Sequence, residues 1–87
     1  MDKEAFIIDN ITDYGNLMAF CIDHDISVWR TYFDEREKNN RCYSIDWHEK
    51  RCYYSRKEHW LNKGYKVYKP TFYIDEWGKI CIKINGE

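Results

Sequence analysis

Cys21, His24, Cys42, His48, Cys52 and His59 offer enough nitrogen and sulfur to fill a four-coordinate zinc site. A four-coordinate site draws on closely spaced pairs of such ligands, fixed by a turn or a helix. Only Cys21 and His24 are paired in that way, across two residues, and the intervals between 42, 48 and 52 match no familiar knuckle. Cys42 and Cys52 approach each other only if residues 41–54 fold back as a hairpin in a favourable register. Cysteines on strands otherwise serve as small apolar fillers, which is the expectation here, with no metal and no other cofactor. A small zinc-stabilised regulator is kept as the third functional alternative.

Covalent catalysis finds less support. His24 stands between Asp23 and Asp25, so a carboxylate could orient it as a base, with Cys21 as the thiol. An acidic surface turn explains the same residues more simply. No nucleophile elbow, glycine-rich phosphate loop or zinc-protease helix occurs, and the chain has four glycines in all. No enzymatic activity and no catalytic residue is therefore expected.

The most conspicuous pattern is the interleaving of rings and cations over residues 47–73. Lys50-Arg51-Cys52-Tyr53-Tyr54-Ser55-Arg56-Lys57 is followed by Tyr65-Lys66-Val67-Tyr68-Lys69. Aromatics make up 18% of the chain, with eight Tyr and four Trp, more than a minimal core of this size needs. On a protein partner, Tyr, Trp and Arg supply most of the binding energy, and basic neighbours favour an acidic target. On single-stranded nucleic acid the same rings would stack on bases while Lys and Arg track phosphates. A net charge of −1 speaks against the second use. Trp47, Tyr53, Tyr54, Tyr65 and Tyr68 are accordingly expected as anchors in protein binding, with Arg51, Arg56, Lys57, Lys66 and Lys69 orienting the partner.

Charge is unevenly distributed along the chain. Residues 1–25 carry six acids and one lysine, a net of −5, whereas residues 50–73 carry seven cations and Glu58, a net of +6. The basic segment forms a positive face only if the acidic opening does not lie across it.

The elements that must position these residues read mostly as strands. Short alternating runs recur about every ten residues, which predicts a single α+β domain over 1–87, its antiparallel sheet a meander of hairpins. The clearest hairpin joins 71–74 to 79–84 through Asp75-Glu76-Trp77-Gly78, with Ile80, Ile82 and Ile84 on one face. A second joins 41–47 to 51–54 through His48-Glu49-Lys50. Ser55-Arg56-Lys57-Glu58 matches a capping box and predicts a short helix over about 56–63 that buries Trp60 and Leu61 and ends at Gly64. Residues 26–38 fit two templates. Ile26, Trp29 and Phe33 share a helical face, but the β-branched and aromatic composition of the first eight positions favours a strand, paired with 17–22 across Asp23-His24-Asp25.

The N-terminal apolar run is short and flanked by acids, unlike a secretory signal, and nothing approaches a membrane span. Reduced thiols and a cytoplasmic location are expected, with no membrane partner. In habit alone, with one proline and an abundance of Asn, Ile, Lys and Tyr, the chain resembles the accessory proteins phages encode to inhibit host or defence enzymes. That resemblance implies an inhibitor or regulator in the style of counter-defence or host takeover.

Overall fold

Asn10 decides how the chain leaves its first strand. Its backbone is extended, and its side-chain oxygen accepts the Asp13 N–H at 2.7 Å, satisfying one of the donors that a helix start leaves open. The computed structural model, which describes residues 3–28 and 32–84, accordingly shows β1 (Glu4–Ile7) running into α1 (Ile11–Asp23). Leu17, Phe20 and Cys21 recur at helical spacing and form the buried stripe of α1. This corrects the strand expected at 17–22: the apolar residues there follow a period near 3.6, and the cap lies seven residues upstream.

The remaining elements are β2 (Ser27–Val28), β3 (Arg41–Asp46), β4 (Arg51–Arg56), α2 (Lys57–Asn62), β5 (Lys66–Tyr68), β6 (Pro70–Ile74) and β7 (Ile80–Ile84). The fold is α+β, as its sequence indicates, but its main sheet is mixed. Strand order is β2-β4-β3-β1-β5, with β1 parallel to β5 and β2 parallel to β4. A meander cannot produce that order. Two crossovers do, one through α1 and one through α2, and they insert β1 between β3 and β5.

Of residues 26–38, those described, 26–28 and 32–38, show neither the long strand nor the α-helix that the sequence admits, and residues 29–31, Trp29 among them, lie outside the described part. Among the described residues of the segment Ser27 and Val28 pair with β4, and Glu35–Asn40 coil as a 3-10 segment capped by Asp34, which accepts the Arg36 N–H at 3.0 Å.

Both predicted hairpins are present. In the first, Arg41 opposes Arg56, Tyr43 opposes Tyr54, and Asp46 opposes Arg51. Its turn contains no glycine, so Lys50 takes the positive φ of 52°. In the second, Ile74 opposes Ile80, and Gly78 supplies a φ of 78° at the bulge. The capping box does not form. Ser55 is held in β4 opposite Cys42, Arg56 occupies the cap position without a side-chain bond, and α2 starts at Lys57. Trp60 is buried as expected, but Leu61, one residue on, points to solvent.

Alternation sorts the sheet into two faces. Phe6, Tyr43, Ile45, Cys52, Tyr54 and Tyr68 pack beneath α1 and the β6–β7 hairpin in the main core. Ala5, Cys42, Tyr53 and Val67 lie on the other face under Trp60 of α2. Cys42 and Cys52 thus face opposite ways, which removes the bridge or shared metal considered for them. In the main core Arg41 is fully buried, its guanidinium 5.0 to 5.4 Å from the rings of Tyr32, Phe33 and Tyr54. It donates to the Tyr32 carbonyl, while its Nε and Nη2 have no hydrogen-bond partner among the described residues. The bond to the Tyr32 carbonyl and the cation–π contacts with these rings together offset part of its desolvation.

Candidate functional site: an aromatic groove at the β3–β4 turn

α2 has only six residues and cannot cover the face it packs on. Beside it, at the end of the sheet where β1 begins and β3 turns into β4, lies a groove of about 660 Å³. Its aromatic lining is Phe6, Trp47, Tyr53, Trp60 and Tyr65, and Ser44 lines it too. Trp60 and Tyr65 stack at 4.8 Å, and the Trp60 indole N–H donates to the Cys42 carbonyl at 3.4 Å. A second recess of about 330 Å³ lies on the opposite face between Phe6, Phe20, His24, Ile82 and Ile84. Trp47 lines both recesses and sets its ring edge-on to Phe20 at 6.0 Å. It remains 52% exposed and forms a ridge between two concavities.

Charges of both signs meet at the groove. Asp46 accepts the N–H groups of His48 and Glu49 at 3.0 and 3.1 Å, which closes the turn. Glu49 accepts the Tyr53 hydroxyl at 2.7 Å, and that bond holds the phenol proton and raises its pKa. Both acids are therefore engaged from within the turn. Lys3 and Lys63 each rest 5.7 Å from a ring centre, over Tyr65 and Trp60 respectively.

Of the ten residues expected as partner contacts, the structure brings Trp47, Tyr53 and Tyr65 into this groove. Arg51 shares the face of Tyr53 at its edge, and Lys57 starts α2 on the same side. The other five lie elsewhere. Tyr54 and Tyr68 pack into the main core, and Arg56 and Lys66 alternate onto that same sheet face. Lys69 pairs with Asp9 at 2.9 Å, so the acidic opening segment does reach the basic one. That pairing lowers the Asp9 pKa and raises that of Lys69. The ten residues do not share one face, because strand alternation divides Tyr53 from Tyr54 and Tyr65 from Tyr68.

Lys3, Ser44, Asp46 and Lys63 line the groove without having been singled out. Asp46 was within reach of sequence reasoning, since the hairpin register sets it opposite Arg51. Lys3 was not, because its place depends on the long-range parallel pairing of β1 with β5, which starts where the Lys66 N–H donates to the Lys3 carbonyl at 2.9 Å.

The candidate chemical groups have structural employment. His24 donates through Nε2 to the Ile80 carbonyl at 3.0 Å and stacks on Phe20 at 4.3 Å, while Asp23 accepts the Ile80 N–H. Cys21 lies in the core against Cys52, whose pKa is raised by its hydrogen bond to Cys21 and by burial. Burial pushes Cys42 up to about 11. All four cysteines are free thiols, and among the described residues no three His, Cys, Asp or Glu side chains gather as a metal cluster. No helix of the described residues is long and apolar enough to cross a membrane.

Compared with known protein families, curated proteins and solved structures, the chain matches none of them.

Proposed function

We propose that this chain is a non-enzymatic binding protein of the cytoplasm, an inhibitor or regulator that acts by contact with another protein, and that the groove beside Trp47 is where the contact is made. The observation that carries this reading is the half-exposed Trp47 ridge between two concavities, next to Tyr53, Trp60 and Tyr65. Large, partly pre-packed rings around a recess give binding energy at low entropic cost. Asp46 and Glu49 are engaged within the turn, whereas among the described residues Lys3 and Lys63 rest on rings, which leaves cationic heads for a partner's carboxylates. The net charge of −1 favours protein over single-stranded nucleic acid, whose dedicated binders carry a positive excess.

The test is affinity capture from native cells with wild-type protein and with Trp47→Ala, alongside Leu61→Ala as an exposed control. The expected result is a protein retained by wild type and by Leu61→Ala and lost with Trp47→Ala. Equal retention by the Trp47 variant, or no retained protein at all, contradicts the proposal. Tight, steeply salt-dependent binding of a labelled single-stranded oligonucleotide would put nucleic acid in the protein's place.

A further inference from the structure

Sheet edges invite pairing, and this fold blunts all but one of those it describes. Among the described residues β2 offers two, and β5 offers three, framed by Lys66 and Lys69. Short length and lysines are the usual protections of an edge. β6 has neither. Its five residues, Pro-Thr-Phe-Tyr-Ile, carry no charge, and Tyr73, Ile74 and nearby Trp77 are 49%, 70% and 77% exposed.

The hairpin's own hydrogen bonds show which backbone groups of β6 look outward. The Asp75 N–H donates to the Lys79 carbonyl at 2.9 Å, so these two residues bond across the ladder. In an antiparallel pair the next residues, Ile74 and Ile80, then turn their N–H and C=O away from each other. Ile80 confirms the phase, because its N–H donates to Asp23 on α1 and its carbonyl accepts from His24. The outer side of β7 is thus occupied by the end of α1. By the same alternation Phe72 and Ile74 present their N–H and C=O on the outer side of β6, where no described strand pairs with them.

We propose that β6 is the pairing edge of a homodimer, taking β6 of a second copy antiparallel about a two-fold axis at Tyr73. This goes beyond the groove and uses none of its residues. In that register Phe72 of each copy faces Ile74 of the other, and both N–H and both C=O groups of each strand are satisfied. The alternative centred on Phe72 sets Ile74 opposite Pro70, which has no N–H to give to the Ile74 carbonyl. Register partners share a face, so the row formed by Ile80 and Ile74 continues into the second copy's Phe72 and Ile82. That contact covers Ile74, which lies on the core side of the hairpin yet overhangs the core. On the outer side the two Tyr73 rings meet at the axis. No charge opposes a like charge within the paired strands.

Sedimentation velocity from micromolar to millimolar protein, with amide exchange at both extremes, tests the dimer. Wild type is expected to shift to twice the chain mass, with Phe72 and Ile74 amides slowed roughly tenfold or more at high concentration. Tyr73→Lys sets two cations face to face at the axis and is expected to stay monomeric with an unchanged melting curve. Ile74→Pro removes an N–H that the hairpin itself does not use, and should do the same. Should Ile74→Pro lower the melting temperature, Tyr73→Lys and the exchange rates decide. A wild-type monomer throughout, undiminished dimerisation of Tyr73→Lys, or concentration-independent exchange at Phe72 and Ile74 would overturn the proposal.

Discussion

Trp60 fastens α2 to the sheet, and its removal should cost more than that of any other residue on that face. The side chain is 5% exposed, packs over Ala5 and Cys42, and bonds the Cys42 carbonyl through its indole N–H. Truncating a buried Trp to Ala loses its transfer free energy and leaves a cavity, together about 3–5 kcal/mol. A domain of this size has about 5–10 kcal/mol in all, so Trp60→Ala should sit near the edge of folding. Trp60→Phe separates packing from polarity. It keeps most of the ring but leaves a buried carbonyl unpaired, at about 1–2 kcal/mol, the low end being favoured by the 3.4 Å length of the bond. Urea unfolding followed by far-UV circular dichroism measures both, provided the slope with denaturant is unchanged. A loss below about 1 kcal/mol for Trp60→Ala would show that α2 is not held by this residue, and the groove wall it forms would lose its rationale.

Lys50 pays a backbone penalty at φ 52°, so Lys50→Gly should hold or raise stability by up to about 1 kcal/mol, whereas Lys50→Val should lower it by more than that; urea midpoints read the difference. Gly64 has φ 84° and open space where a Cβ would go, so Gly64→Ala should cost about 1 kcal/mol through backbone strain alone, again read from the urea midpoint. Asp9, through Lys69, and Asp75, through the Lys79 and Trp77 amides, have folded pKa values below the ordinary carboxylate value. Their contribution is present above the unfolded value of about 3.9 and is lost as pH falls through the folded one, so stability should decline from about pH 5 downward. Asp75→Asn should flatten that decline in melting curves recorded across the acid range, and an unchanged slope would show that the turn bonds do not depend on the charge.

What the sequence made legible was local. Gly78, and the alternation of Ile80, Ile82 and Ile84, were enough to place the β6–β7 hairpin, and the run 41–54 placed β3 and β4. What it hid was set by distance. Nothing near Lys3 or Lys66 announces that β1 lies parallel to β5, and that pairing builds one wall of the groove. α1 is masked for a different reason: Leu17, Phe20 and Cys21 have a helical period, but Ile22 and the Asp23-His24-Asp25 turn signal also suit a strand end, and the Asn10 cap lies seven residues upstream of Leu17. The aromatic and basic run looks like one surface in the sequence because neighbours along a chain look like neighbours in space. On strands they are not, and Tyr53 and Tyr54 end on opposite faces.

The most direct measurement of the central claim is a hydrogen-exchange footprint of this protein bound to the partner it captures. Slowed exchange in the β3–β4 turn around Trp47 and in the segment from Trp60 to Tyr65, with α1 unchanged, is the predicted pattern. Protection confined to α1 or to the β6–β7 hairpin, with the groove exchanging as in the free protein, would contradict it.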